Sequence, residues 1–146
     1  MSDDINWARV FGGGLLAGLI INLGEFILNE PILGADFAEA MASMNREPPG
    51  SGAIMIFVML GFAIGILAVW LYAAIRPRFG AGAKTAACAG LTVWALAWLY
   101  PNVGFMAMDM FPFKLLLIAS LWGAVEVTLA TVAGAWLYKE AAQPAS

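Results

Sequence analysis

Two glutamates stand inside long apolar segments, and they are the residues of this chain best suited to chemistry. Glu25 lies in GGGLLAGLIINLGEFILNEP (12–31), and Glu126 lies in LWGAVEVTLATVAGAWLY (121–138). An acid inside a membrane span is costly, so it usually faces protein or water and marks a proton or ion path. No lysine or arginine lies inside either segment. We therefore expect Glu126 to be either neutral or hydrogen-bonded within the protein.

A stripe of small and then polar residues runs along the first segment at helical spacing: Gly14, Gly18, Asn22, Glu25 and Asn29. Residues three and four apart share one face of a helix, so this face is expected to contact protein. Amide and carboxyl groups on such a face can hydrogen-bond to a neighbouring helix. We predict an intramembrane polar seam of Asn22, Glu25, Asn29 and Glu126. The candidate partners of Glu126 are Asn22, Thr92, Thr128, another hydroxyl, water or a group from another chain.

The residues that are missing exclude several kinds of chemistry. The chain has no histidine and a single cysteine, which removes the commonest zinc and haem ligands, thiolate clusters and the commonest acid–base catalyst. A Ser-His-Asp or Cys-His nucleophile is excluded, and no glycine-rich phosphate loop occurs. We predict that the protein is not an enzyme and that it holds no cofactor.

Methionines raise a weaker alternative, the handling of copper(I). FMAMDMF at 105–111 places Met106, Met108 and Met110 around Asp109, and soft thioethers suit copper(I). Methionine is also a common apolar filler. No metal site is therefore predicted, and these three residues are kept only as copper candidates.

Composition assigns the chain to the membrane proteins. Of its 146 residues, 62% are hydrophobic and only 12% are charged, whereas about a quarter of a soluble domain is charged. A span needs about 20 apolar residues, so we predict four spans in one transmembrane domain covering 1–146: approximately 10–29, 53–75, 85–105 and 114–138. Pro101 interrupts the third span, which either ends there or continues as a kinked helix. The predicted fold is an all-α integral membrane four-helix bundle.

The cations predict how the chain lies in the bilayer, because lysine and arginine are retained on the cytoplasmic side. Five of the seven cations fall on one side of the four-span topology: Arg9, Arg76, Arg78, Lys84 and Lys139. Arg46 and Lys114 fall on the other side, so both termini are predicted to be cytoplasmic. The net charge of −3 argues against a nucleic-acid partner.

The loop GADFAEAMASMNREPPG at 34–50 has the pattern of a short amphipathic helix. Phe37, Met41 and Met44 recur at i, i+4 and i+7, and Pro48 stops the pattern. We predict a surface helix at approximately 35–45 on the outer face of the membrane. It is interpreted as a lid on the helix ends, with gating of a substrate as the alternative.

Small residues at helical spacing predict close helix contacts. Five glycines are assigned to helix packing: Gly14, Gly18, Gly61, Gly65 and Gly123. Gly61 and Gly65 form a GxxxG pattern, which favours association of membrane helices. Trp94 and Trp98, one turn apart, are interpreted as a packing or lipid-facing pair. Besides the lipid bilayer, the predicted partners are further copies of the chain or other membrane subunits.

The two halves of the chain contain similar segments. AGLIINLGEFILNEP (17–31) aligns with AGLTVWALAWLYPN (89–102), and AVWLYAAI (68–75) aligns with GAWLYKEA (134–141). Each half would be a helical hairpin, and two such hairpins would share one orientation, as in parallel-repeat transporters. The similarity raises the hypothesis of two parallel hairpin repeats.

The segments NWARVFGGGLLAGLIINLGEFILN, VWLYAAIRPRFGAGAKTAACAGL and GAWLYKE resemble those of an uncharacterised group of small bacterial four-helix membrane proteins. The resemblance implies a multi-pass protein of the bacterial inner membrane. It implies no activity. Three hypotheses for function follow from the residues: a noncatalytic structural or accessory subunit, placed first; a proton-coupled transporter or channel that uses Glu126 and Glu25; and copper(I) handling.

Overall fold

The computed structural model describes residues 5–139, which fold entirely as helices and connecting turns. Six α-helices follow one another along this stretch: α1 Trp7–Ile27, α2 Gly34–Ser43, α3 Ser51–Phe79, α4 Ala83–Trp94, α5 Tyr100–Ala107 and α6 Phe113–Leu137. Two short π-helical segments continue the chain, Leu28–Ile32 after α1 and Ala95–Leu99 between α4 and α5. The prediction of an all-α protein is confirmed.

Four helical stretches are long and apolar enough to cross a membrane: Trp7–Ile32, Ser51–Phe79, Ala83–Ala107 and Phe113–Leu137. They contain or closely match the four spans predicted from hydropathy. The chain is therefore an all-α membrane protein with four candidate spans. The stretch Ala83–Ala107, called the third span below, is made of α4, a π-helical segment and α5.

Proline does not end the third span, because the helix changes its hydrogen-bond register just before Pro101. Proline has no N–H to donate to the carbonyl four residues back. In the π-helical segment the backbone N–H of Tyr100 donates to the carbonyl of Ala95, one residue further than in an α-helix. Of the two alternatives, the structure has the continuing helix. A similar segment surrounds Pro31, where the N–H of Leu33 donates to the carbonyl of Leu28.

The predicted surface helix forms α2, at nearly the predicted bounds. Its Phe37, Met41 and Met44 are partly buried, as the predicted stripe requires, and Ala40 is fully buried between them. Phe37 packs against Phe111, with ring centroids 5.5 Å apart. The apolar face of α2 therefore covers the ends of other helices.

Glycines allow α1 and α3 to approach closely. A Cβ at Gly65 would meet backbone atoms of Gly14 and Gly18, so only glycine leaves room for this crossing. Gly61 lies against the side chain of Asn22. The GxxxG pattern of α3 thus serves a contact within the chain, so it no longer argues for association between chains.

The two halves pack in the same way, as the hypothesis of hairpin repeats predicts. α1 packs on α3 and α4 packs on α6, while α1 also contacts α6 and α3 contacts α4. Gly18 lies against the backbone of Phe62, and the aligned Gly90 lies against the backbone of Thr128.

Two tyrosines repeat this symmetry where the hairpins meet. Tyr72 and Tyr138 occupy the same place in the two WLY sequences and pack edge to face with centroids 6.0 Å apart. The Tyr138 hydroxyl accepts the N–H of Asn6, and the Tyr72 hydroxyl accepts the N–H of Gly82. Each tyrosine therefore holds the start of the first helix of the opposite half. This reciprocal exchange ties the two hairpins into one body.

Charge separates the two ends of the bundle. The end where α1 and α4 begin, here called the basic end, carries Arg9, Arg76, Arg78, Lys84 and Lys139. The opposite or acidic end carries Glu30, Asp36, Glu39, Glu47 and Asp109, together with Arg46 and Lys114.

Two apolar clusters fill the interior. The larger cluster extends from the basic end to the middle and includes Val10, Ala17, Val69 and Ala130. The acidic-end cluster contains Leu28, Leu33, Leu115 and Leu116.

Candidate functional site

Glu126 lies at the middle of α6 and points into the bundle, where it is only 7% exposed. Trp122, one turn earlier on the same helix, donates its indole N–H to Glu126 Oε2 at 2.7 Å. Glu126 Oε1 is buried and has no hydrogen-bond partner among the described residues. The carboxylate therefore has one oxygen satisfied and one oxygen available.

Gly24 of α1 makes room for this carboxylate. The position that a Cβ would take at Gly24 is occupied by the Glu126 side chain. Glycine at this place lets a glutamate of α6 reach the backbone of α1. The next residue of α1 is Glu25, so the packing of α1 on α6 brings the two acids together.

Glu25 is partly buried and receives hydrogen bonds from two side chains. The indole N–H of Trp98 donates to Glu25 Oε1 at 3.1 Å. The amide of Asn29 donates to Glu25 Oε2 at 2.8 Å and also to the Glu25 carbonyl at 2.8 Å. Both carboxylate oxygens of Glu25 thus accept a hydrogen bond from a side chain, whereas only one oxygen of Glu126 does.

The two glutamates, here called the carboxylate pair, lie where α1 and α6 meet, because Glu126 Oε2 fills the Cβ position of Gly24, the residue next to Glu25. The larger apolar cluster packs against Trp98, and the acidic-end cluster packs against Trp122. The carboxylate pair therefore lies between the two clusters, with an indole from each side. Repulsion in such a low-dielectric setting is far stronger than in water. A positive charge or a proton placed at the pair would relieve this repulsion.

Sequence reasoning found both acids and missed both indoles. Trp98 was interpreted with Trp94 as a packing or lipid-facing pair, whereas both donate hydrogen bonds, Trp94 to the Ser120 carbonyl at 2.8 Å. The spacing of Trp122 and Glu126, four residues apart on one helix, was the available signal. Trp98 offered none, because its contact with Glu25 spans 73 residues of sequence.

The predicted polar seam divides into two parts. Asn22 donates to the Gly18 carbonyl at 2.9 Å and to the Val58 carbonyl of α3 at 3.1 Å. It faces α3, so its prediction as a partner of Glu126 is wrong. Glu25, Asn29 and Glu126 form the other part. Three residues turn an α-helix by about 300°, so Asn22 and Glu25 point about 60° apart. Asn22 contacts α3, and Glu25 contacts Trp98 of the third span.

Both π-helical segments carry donors to Glu25. Asn29 lies in Leu28–Ile32 and Trp98 lies in Ala95–Leu99. An inserted π turn changes the direction in which the following side chains point and is frequent at functional sites. The two irregular segments of the membrane helices therefore meet at the carboxylate pair.

The three copper candidates do not share one environment. Met106 packs against the acidic-end cluster, whereas Met108 is 69% exposed. Among residues 5–139, no group of three or more histidine, cysteine, aspartate or glutamate side chains is placed to hold a metal ion.

Gly123, predicted for helix packing, is buried in α6 and lies against the ring of Trp98 from the third span. Its missing side chain is what allows the indole to lie there.

No protein-family model, curated protein or solved structure matches the chain. Its function has to be inferred from its own residues.

Replacing Gly24 with alanine tests whether the Glu126 carboxylate touches α1. The added methyl group would displace the carboxylate from Trp122, so we expect Gly24→Ala to lower the free energy of unfolding in detergent by about 1–3 kcal/mol. In a Glu126→Ala background the same change should cost much less, a coupling of about 0.5–3 kcal/mol. Gly12→Ala, where nothing lies within 4 Å, is the matched control on α1. Additive effects of the two substitutions would contradict the contact.

Proposed function

We propose that this protein is a small proton-coupled transporter or channel in which Glu25 and Glu126 bind the proton. The observation that carries the proposal is the meeting of two carboxylates from different helices inside a membrane protein. The lysines and arginines of residues 5–139 lie near the ends of the spans or in loops. A bound proton is therefore the simplest group that relieves the repulsion of the pair.

The hydrogen bonds favour a proton over a metal ion. Three of the four carboxylate oxygens already accept an N–H group, and one oxygen of Glu126 remains. A sodium, magnesium or calcium ion needs several oxygen ligands around it, whereas a proton needs one oxygen. A proton that binds at Glu126 Oε1 could then exchange with Glu25, which is better connected to water through the exposed Asn29.

Proton flux into liposomes tests this function. With purified protein and an imposed pH gradient, we expect flux above that of empty liposomes, measured with an entrapped pH-sensitive dye. Glu126→Gln keeps the shape of the side chain and removes the titrating group, so the flux should fall to background. Glu47→Gln removes one acid from the exposed loop and should leave the flux unchanged. Equal flux through both variants would falsify the role of Glu126.

The charge distribution supports an orientation with both termini in the cytoplasm of a bacterium and the acidic end outside. Five cations at the basic end, against two at the acidic end, follow the retention of lysine and arginine inside. The resemblance to small bacterial membrane proteins supports the inner membrane as its location.

Cysteine labelling in intact cells tests the orientation. The exposed Cys88 is first replaced by serine, and a cysteine is then introduced at Glu47 or at Arg78, both exposed. A membrane-impermeant maleimide should label Glu47→Cys in intact cells and label Arg78→Cys only after permeabilisation. The reverse pattern would place the termini outside.

A noncatalytic accessory subunit is the second candidate, and the first half of α3 favours it. Ile54, Met55, Ile56, Phe57 and Met59 are each at least 50% exposed. Because these residues cover more than one full turn of the helix, this part of α3 has little protein beside it within the described residues. Lipid or another membrane protein covers it.

The mass of the native assembly tests the subunit role. A tagged protein extracted in mild detergent should carry other polypeptides in fixed stoichiometry if it is a subunit, since a persistent interface survives extraction. Replacing Met55 and Met59 with leucine serves as a control that keeps the surface apolar. Recovery of the chain alone or as a homo-oligomer would rule this role out.

A further inference from the structure

The carboxylate pair lies beside a loosely packed boundary between the first and third spans. α1 packs against α3 and α6 but scarcely against the third span. Glu25 of α1 is partly exposed and accepts the indole N–H of Trp98 from the third span. Toward the two ends of the bundle, the apolar clusters stand between the pair and the water. Passage along the bundle axis would need those clusters to open.

The side chain of Trp98 extends across the boundary between the first and third spans. Its indole N–H donates to Glu25 of α1, and its ring lies against Gly123 of α6, three residues before Glu126. A single side chain of the third span thus contacts both helices that carry the acids. The same ring covers the turn of α6 that precedes Glu126 in the sequence.

We propose that Trp98 is a latch that closes a lateral entrance to the carboxylate pair between the first and third spans. This inference rests on the proposed proton-binding function of the pair. With the latch closed, Glu126 exchanges protons only through Glu25. Release of the hydrogen bond lets the indole leave Gly123 and opens Glu126 to groups that arrive from the side.

The π-helical segment provides the means of release. Trp98 lies in Ala95–Leu99, where each backbone hydrogen bond skips one residue more than in an α-helix. A shift of the π turn along the helix reorients the side chains within it while keeping the backbone hydrogen-bonded. Such a shift would turn Trp98 away from Glu25 without breaking the span.

Chemical modification of Glu126 measures the state of the latch without any transport assay. The full-length protein in detergent is treated with a water-soluble carbodiimide and glycine ethyl ester, and the labelled peptides are quantified by mass spectrometry. Glu47, exposed in a loop of the same molecule, is the internal reference. In the unmodified protein we expect Glu126 to be labelled much more slowly than Glu47.

Trp98→Phe removes the N–H and retains an aromatic ring. We expect it to raise the rate at Glu126 relative to Glu47 by about tenfold, the population change that loss of one hydrogen bond to a carboxylate allows. Trp94→Phe removes a comparable indole hydrogen bond one turn away, to the Ser120 carbonyl, and should leave the ratio unchanged. If Trp98 serves only for packing, Glu126 will be labelled in Trp98→Phe at the same rate as in the unmodified protein. That result would overturn the proposal that Trp98 is a latch.

Gly123→Ala approaches the same contact from the other side. A Cβ at Gly123 would lie 2.8 Å from the indole ring of Trp98, so it should displace the ring and raise the labelling of Glu126. This variant decides the question if Trp98→Phe does not fold. If these variants speed the labelling of Glu126 but the protein conducts no protons, the entrance is supported and the proposed function is rejected. If proton flux depends on the glutamates but neither Trp98→Phe nor Gly123→Ala changes the labelling of Glu126, the proposed function is supported and the entrance is rejected.

Discussion

The absence of water inside a bilayer is the constraint on which this structure depends. Each polar group within a span must find its partner in the protein, because lipid offers none. Backbone groups meet this requirement by forming helices. The polar side chains meet it by local means: Thr131 and Ser120 donate to carbonyls of their own helix, and Asn22 donates to a carbonyl of α3.

Among the described residues of α6, Thr128 Oγ1 is buried without a hydrogen-bond partner, and Glu126 meets the requirement only in part. Its Oε2 accepts the Trp122 indole, and its Oε1 faces the interior without a partner in the described part of the chain. A buried polar atom left unpaired lowers stability. Placing a second acid beside it adds repulsion, so the site destabilises the fold unless a proton or another positive group is bound. This cost is the physical reason for proposing a function at the pair rather than at the aromatic or glycine faces.

Both irregular helical segments contain a residue that donates to Glu25. The prolines at 31 and 101 lack the N–H that an α-helix uses, and both lie in or beside a π-helical segment. Asn29 of the first segment reaches Glu25 at the ordinary spacing of four residues, whereas Trp98 of the second segment reaches it from the third span. The glycines have the complementary effect, since Gly24 and Gly123 leave space for the Glu126 carboxylate and the Trp98 ring. The polar site is therefore built where the regular packing of the two hairpins is interrupted.

The amino-acid sequence is sufficient to predict the membrane class, the four spans, the helix α2 and the presence of two acids inside apolar segments. These properties follow from local composition and period, which a single helix expresses before it packs. The glycine contact between α1 and α3 was also foreseeable in kind, since small residues at helical spacing have few other uses.

Which polar groups meet depends on how the helices pack in three dimensions. Asn22 and Glu25 are three residues apart, yet one faces α3 and the other faces Trp98. That division depends on how α1 is rotated between its neighbours, and no pattern within α1 reports the rotation. Likewise, Glu25 and Glu126 come from opposite halves of the chain, and they meet because Gly24 lets α6 approach α1. Contacts between distant segments are decided by packing, which the order of residues along one helix does not contain.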